Sequence, residues 1–263
     1  MARSSTRDDA QPKSQNTYSA PALEKGFNVI ELLATAPDGL TLSEIAARLG
    51  FNSMSEIFRI IIVMERRGWL AKNPDTDRYT VTHKVLETVF RALPTHELSL
   101  VAAPLMLELA HAIQQSCHVV VLNGAKGLVI MRQESPGPTA FVVKRGVTID
   151  AVRTCSGHVL MAFSEPSTAA RVLAQNPALP DEERARIEKV RAQGYEMMPS
   201  IRTRGVTDMA CPIIGLDGYA VGTLTVPFLE LIDGSQQVTR KAALEVLKTY
   251  AARISQGLGA PVK

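Results

Sequence analysis

The sequence predicts a multi-domain α/β protein: an N-terminal winged helix-turn-helix, a linker of helices, and a C-terminal α/β sensor domain with a mainly antiparallel sheet. Three observations carry this. Two short amphipathic helical stretches, TLSEIAARLG and the run from Met54 to Arg67, are separated by a brief turn at Phe51 to Ser53 and followed at once by a hairpin pattern. From Cys117 the pattern changes to strand-like runs such as CHVVVLNG and GLVIMRQES. Those runs have helices before, between and after them, as a layered α/β domain requires.

The 263 residues suggest two domains, and 46% apolar content is ample for two cores. Residues 1–20 are polar, carry both signs of charge and read as a disordered tail. The winged domain is expected over 21–82. It opens with ALEKGFNVIELLAT, where Leu23, Phe27, Ile30 and Leu33 repeat at helical spacing, and APDG then makes a turn. In the next helix Leu42, Ile45, Ala46 and Leu49 form one face; Thr41 or Ser43 can cap its start and Gly50 its end. Ile57, Ile60, Ile61 and Met64 stripe the second helix, which Gly68 stops. Trp69 to Ala71 and Arg78 to Val81 are paired strands, with turn chemistry from Asn73 to Asp77.

Residues 83–114 read as linker helices and a candidate dimer surface, although their apolar stripe can equally pack within its own chain. Leu86, Val89, Phe90 and Leu93 stripe the first helix. Pro94 interrupts, Thr95 can cap the second helix, and Pro104 is expected to kink it or begin its regular part. The sensor domain fills 115–263. CHVVVLNG, GLVIMRQES and AFVVKRG are its first expected strands, and Asn123-Gly124 and Asp217-Gly218 mark hairpins. CSGHVLMAF, STAARVLAQN and DEERARIEKVRAQG are expected helices, the last closed by Gly194, and residues 235–257 make a final amphipathic helix.

A winged helix-turn-helix places its second helix in a major groove and its wing on the flanking backbone. The polar residues off the apolar stripes are the DNA-facing candidates: Thr41, Asn52, Ser53, Ser55, Glu56, Arg59, Lys72 and Arg78. Arg59 can pair with a guanine edge or a phosphate, or with Glu56 or Glu65 on its own helix. Charge adds little, since residues 1–92 carry 12 Lys+Arg against 11 Asp+Glu. Aromatics at 5% argue against a surface that stacks single-stranded bases.

Cys117, Cys155 and Cys211 form no CxxC or finger spacing, and with no signal peptide they fit a reducing cytoplasm. No apolar run suits a membrane span. A thiol enzyme built on Cys155, His158 and Asp208 is the rival from another class, but nothing marks an oxyanion site. Cys117, His118 and Cys211 suggest zinc only weakly, because strand alternation points Cys117 and His118 to opposite faces. No cofactor or metal is expected. A third reading is a protein-interaction module with a degenerate winged helix.

The order and spacing of ALEKGFNVIELL, GLTLSEIAARLG, NPDTDRY, VAAPLMLELA, ESPGP, RTCSGHVLMAF, VRAQGY, GVTDMACPI and DGYAVGTLTV resemble the IclR-type transcriptional regulators over nearly all of residues 21–260. The resemblance implies a winged helix-turn-helix joined by a linker helix to a GAF-like effector-binding domain. It implies homodimers through the DNA-binding half, often dimers of dimers, an operator in double-stranded DNA, and a small organic-acid effector. Repression is the leading expectation and activation the other.

Family pockets map onto Cys155, Ser156 and Gly157 at a helix start, and onto Met198, Asp208, Thr225 and Pro227. A helix N-terminus suits a carboxylate, and Ser156 and Thr225 can add hydrogen bonds. Met198 stands where an acidic residue can occur and Pro227 replaces a hydroxyl, so the expected pocket is more apolar than a glyoxylate/pyruvate-type one. That points to a larger or aromatic carboxylate, unless both residues serve only sheet packing. The chain also departs at the recognition turn, which is one residue longer than in many relatives, with Met54 where a basic residue is common.

Overall fold

A computed structural model describes residues 19–51, 53–92 and 95–261. The expected N-terminal tail (apart from its last two residues), Asn52 and the break at Leu93–Pro94 lie outside the described residues, as do the side chains of Phe90 and Thr95. The chain forms two compact units, Met1–Leu93 and Pro94–Lys263.

In the first unit, α1 (Pro21–Ala34) starts on a proline at its first position, where a missing N–H costs nothing. Its inner face is Val29 and Leu33; Leu23 and Phe27, expected there, are more than half exposed and line an open groove against the second motif helix. A two-residue strand that the sequence pattern did not announce, β1 (Leu40–Thr41), leads into α2 (Leu42–Leu49). Thr41 caps α2 in a reciprocal box: Glu44 N–H donates to its hydroxyl at 3.3 Å, and Thr41 N–H donates to Glu44 Oε2 at 2.8 Å. Gly50 closes the helix in the left-handed region at φ 68°.

Then come α3 (Met54–Arg66), β2 (Leu70–Lys72) and β3 (Arg78–Val81), with sheet order β1-β3-β2. Asn73 shapes the wing tip, its Oδ1 accepting from the N–H groups of Asp75 (2.9 Å) and Thr76 (3.1 Å). Gly39 is obligatory: at φ 73°, a Cβ there would lie 2.7 Å from Tyr79 O. Ile45, Ile57, Ile61, Leu70 and Tyr79 centre the core. Helix α4 (Lys84–Ala92) ends the unit.

The second unit is a six-stranded antiparallel sheet between helices. Its elements are α5 (Thr95–Ile113), β4 (Cys117–Asn123), β5 (Lys126–Gln133), β6 (Thr148–Asp150), α6 (Cys155–Phe163), α7 (Pro166–Ala174), α8 (Asp181–Gln193), β7 (Glu196–Pro199), β8 (Val206–Ile214), β9 (Ala220–Leu229) and α9 (Arg240–Gly257). Strand order is β6-β5-β4-β9-β8-β7. Cys117, Val119, Leu224, Val226 and Phe228 pack against α5 and α9. The opposite face, which includes Met198 and Ala210, packs against α6 through Cys155, Val159 and Met161.

One open alternative is decided here and two expectations are corrected. The stripe of α5 packs within its own chain: Leu98, Ala102, Met106, Leu109 and Ile113 sit in the core of the second unit, and Glu108 pairs with Arg253 of α9 at 2.8 Å. AFVVKRG is not a strand. Among the described residues its only backbone hydrogen bond to β5 is at its end, Gly146 N–H donating to Val129 O at 2.8 Å, and the strand falls at Thr148–Asp150 instead. Phe141 to Lys144 turn over a cavity rather than pair. Helix α9 starts at Arg240, capped by Thr239, five residues after the expected start.

Candidate DNA-reading face and effector cavity

Helix α3 buries Ile57, Ile61 and Met64 and leaves Ser55, Phe58, Arg59 and Ile62 outward. Arg59 is exposed and has no ion-pair partner among the described residues. Of the two partners anticipated on its own helix, Glu56 is instead paired with Lys25 of α1, and Glu65 forms no ion pair with Arg59 among the described residues. Ser53 and Ser55 share a 2.8 Å hydroxyl contact at the start of the helix.

On the wing, Lys72 pairs with Asp77 at 2.6 Å, and that hydrogen bond holds its ammonium above the usual lysine range. Arg78 lies at the wing's base. Its Nη1 donates to Gly39 O at 2.8 Å and to Glu44 Oε2 at 3.1 Å. Thr41, Glu56 and Arg78 thus hold the domain together by bonds of their own, while Ser55 and Arg59 stand free of the core and Lys72 remains partly exposed.

In the second unit a cavity of about 260 Å³ opens at the N-terminus of α6. Cross-strand register builds its floor: His118 of β4 lies opposite Thr225 of β9, and Asp208 of β8 lies opposite Pro227. Thr154, Cys155 and Ser156 form one end; Phe141, Val143, Ile149 and Ile201 form apolar walls; Ser200, Arg202 and Thr203 close another side. Thr154 caps α6, its hydroxyl accepting from Gly157 N–H at 3.2 Å. Among the described residues no acceptor is paired with the N–H groups of Cys155 and Ser156. Thr225 Oγ1 is buried and without a hydrogen-bond partner.

Burial pushes His118 down to about 4, so its imidazole is neutral near pH 7. Burial raises the Asp208 carboxyl, which a hydrogen bond from Ser200 partly opposes.

The cavity therefore gathers Cys155, Ser156, Asp208 and Thr225, but not Gly157, Met198 or Pro227. Gly157 serves packing: a Cβ there would lie 2.6 Å from Ala151 O. Met198 is a cross-strand neighbour of Asp208 and packs under α6, and Pro227 is buried in β9. The apolar character expected from those two is supplied by Phe141, Val143, Ile149 and Ile201. His118 and Thr203 are pocket residues that sequence reasoning missed. Alternation from Cys117 already put His118 on the opposite face, but nothing local says which face holds a cavity.

Cys155 and His158 do not form a nucleophile and base. The Cys155 thiol donates to Glu196 O at 3.6 Å, and burial together with the charges of Asp208 and Glu196 pushes it well up. The His158 ring faces other groups: Nδ1 lies 3.2 Å from Glu196 Oε2, and Nε2 lies 3.2 Å from Val152 O. Burial would raise the Glu196 carboxyl, but hydrogen bonds from His158 and Arg186 outweigh it and hold it below the usual range. This cluster ties α6 and α8 to β7.

Comparison with known proteins assigns both units. Residues 22–74 match the IclR helix-turn-helix domain, and residues 90–256 match the bacterial transcriptional regulator IclR C-terminal domain. The chain is 24% identical over 241 residues to the HTH-type transcriptional regulator BhcR of Paracoccus denitrificans, covering 86% of this chain and 85% of that one. It is 23% identical to the HTH-type transcriptional regulator KdgR of Escherichia coli, with 95% of each chain covered. Its fold matches an IclR homolog complexed with 4-hydroxybenzoate from Microbacterium hydrocarbonoxydans at TM-score 0.72 and 20% identity, over 90% of this chain and 98% of that one. The chain belongs to the IclR family of DNA-binding transcriptional regulators.

Proposed function

We propose that the chain is an effector-responsive repressor whose ligand is a small organic acid of aromatic size, bound in the cavity at the start of α6. The observation that carries this is Thr225: a hydroxyl buried to 2% exposure with no hydrogen-bond partner, on the floor of a cavity that also receives a helix N-terminus. An unpaired buried hydroxyl costs stability, which a ligand oxygen recovers. The Cys155 and Ser156 N–H groups and the helix dipole favour the carboxylate. The apolar walls favour a ring over a two-carbon acid, and the relative solved with 4-hydroxybenzoate makes that acid the first probe.

The protein acts as a homodimer or dimer of dimers. Two winged domains bind successive major grooves of a roughly palindromic operator, with Arg59 on bases or phosphates and Lys72 on the flanking backbone. The effector changes operator affinity only by binding one arrangement of the two winged domains better than the other.

The test is calorimetric titration of 4-hydroxybenzoate, benzoate and pyruvate into the full chain and into Thr225→Val. The expected result is binding of one of the ring acids to the wild type, weakened at least ten-fold in the variant, with pyruvate weaker than either. Binding unaffected by Thr225→Val, or preference for pyruvate, overturns the assignment of the cavity. An operator selected from a random duplex library then tests repression, since the bound acid is expected to release it.

A further inference from the structure

The outward face of α3 is unusual for a helix whose task is to read DNA. Met54, Phe58 and Ile62 recur at every fourth residue and are 48%, 47% and 41% exposed. They form a continuous apolar stripe, because residues four apart stack on one helix face. The inner face, Ile57 and Ile61, is completely buried, so the stripe is not needed for the core. Ser55 and Arg59 flank it, and neither is tied into the domain core. A large exposed ring costs free energy in water unless something covers it.

Phe58 lies in the second turn of α3, and the N-terminal turns of a recognition helix are the part that reaches base edges. Only one base presents a hydrophobic group in the major groove: thymine, through its C5 methyl. We infer that Phe58, flanked by Met54, reads thymine methyl groups, so that the operator half-site carries an A·T pair, or two adjacent ones, beside the base or phosphate held by Arg59. This rests on α3 being the helix that enters the groove. It adds a specificity-determining contact at a position where a charged or amide side chain would ordinarily do the reading. Arg59 lies about a quarter-turn round the helix from Phe58, on the side of the stripe that also carries Ser55. That arrangement suits duplex DNA as the occupant, because a duplex offers a phosphate for the guanidinium within reach of the base edge that the apolar stripe would meet.

The test begins with an operator enriched from a random duplex library by the full-length wild type. Each thymine of one half-site is then replaced by deoxyuridine, which removes only the C5 methyl. The wild type is expected to lose about four-fold in affinity per contacted methyl, the value of one buried methyl-sized group. Phe58→Ala is expected to bind the thymine and deoxyuridine duplexes equally, at or below the weaker level. Phe58→Leu, which keeps an apolar contact, is expected to retain part of the difference. Phe58 is exposed, so these variants keep the fold, and circular dichroism melts check it.

The inference is overturned if an operator is enriched and no deoxyuridine matters, or if Phe58→Ala keeps the full sensitivity to its loss. In either case the groove-entering role of α3 survives. If no sequence is enriched, that role fails and the inference with it. If Phe58→Ala changes the sedimentation of the free protein, the stripe is a contact between copies of the chain and the base-reading assignment is wrong.

Discussion

Arg78 of β3 and Glu44 of α2 are joined at two points, Nη1 to Oε2 at 3.1 Å and Nη2 to Oε1 at 3.3 Å, and Nη1 also donates to Gly39 O at 2.8 Å. One guanidinium therefore fastens the wing to the first helix of the motif and to the turn before it. Glu44 also closes the α2 capping box, and the backbone hydrogen bond from Thr41 is the largest influence holding its carboxyl below the usual range.

This fork makes Arg78 a wing anchor first. Arg78→Met is expected to lower the melting temperature of the winged unit, and Arg78→Lys to recover little of it, because an ammonium cannot form the paired contact. In a double-mutant cycle with Glu44→Gln, the combined loss is expected to be smaller than the sum of the two single losses. Calorimetric melts measure this. Unchanged melting with lost operator binding would assign Arg78 to DNA alone.

Arg59 and Lys72 are expected to behave differently from Arg78. Arg59→Ala and Lys72→Ala leave melting unchanged. A residue that touches phosphate weakens operator binding and lowers the slope of log K against log salt by about one. Arg59→Ala that changes which base is preferred, with an unchanged slope, assigns Arg59 to a base edge. Titrations at four salt concentrations separate these.

His118 makes the effector domain sensitive to acid. Its folded pKa of about 4 lies below the value of about 6.5 for an exposed histidine, so the unfolded chain binds the extra proton first. The stabilisation is complete above pH 6.5 and is lost as pH falls toward 4, to a limit of about 3 kcal/mol. Denaturant unfolding of the wild type and His118→Gln at pH 7.5 and pH 5 is expected to show a smaller pH difference in the variant. Equal pH dependence would mean that His118 is not held neutral in the fold.

The three cysteines are buried, and burial pushes Cys117 and Cys211 up to about 12 and Cys155 well up also. Their thiolate fraction near pH 8 is negligible. Iodoacetamide is expected to label none of them in the folded chain and all three in urea. Rapid native labelling of Cys155 would revive a reactive thiol at the α6 start.

Gly157 lets α6 approach the preceding loop. Gly157→Ala places its methyl 2.6 Å from Ala151 O and 2.7 Å from Asp150 O, so the helix must move. The expected cost is about 1–3 kcal/mol, with loss of ring-acid binding because the same movement displaces Ser156. Ser156→Ala, by contrast, is expected to leave melting within experimental error. Urea titration distinguishes them.

The legible parts of this protein were local. Thr41, Gly50, Gly194 and Asp217-Gly218 set caps and turns through their own backbone and side-chain chemistry, and the helix periods of α2 and α3 follow from residues a few positions apart. Cys155 and Ser156 were placed through the resemblance, at a helix start that the run itself signals. What stayed hidden depends on distant chain. The β1 strand exists only because Leu40 meets Tyr79. Leu23 and Phe27 fit a helical stripe as well as Val29 does, and only the position of α3 decides which face is buried.

The sequence by itself determined two domains, a winged helix-turn-helix and an antiparallel α/β sheet domain, because periodicity, capping and turn residues act over a few residues. The tertiary structure alone decided that α5 belongs to the core of the second unit, and that Arg78 anchors the wing. It alone decided that the cavity is walled by Phe141, Val143 and Ile149 in place of Met198 and Pro227. The physical reason is the same in each case: burial and pairing are properties of surfaces brought together from far apart, and a residue carries no local mark of which surface it will meet.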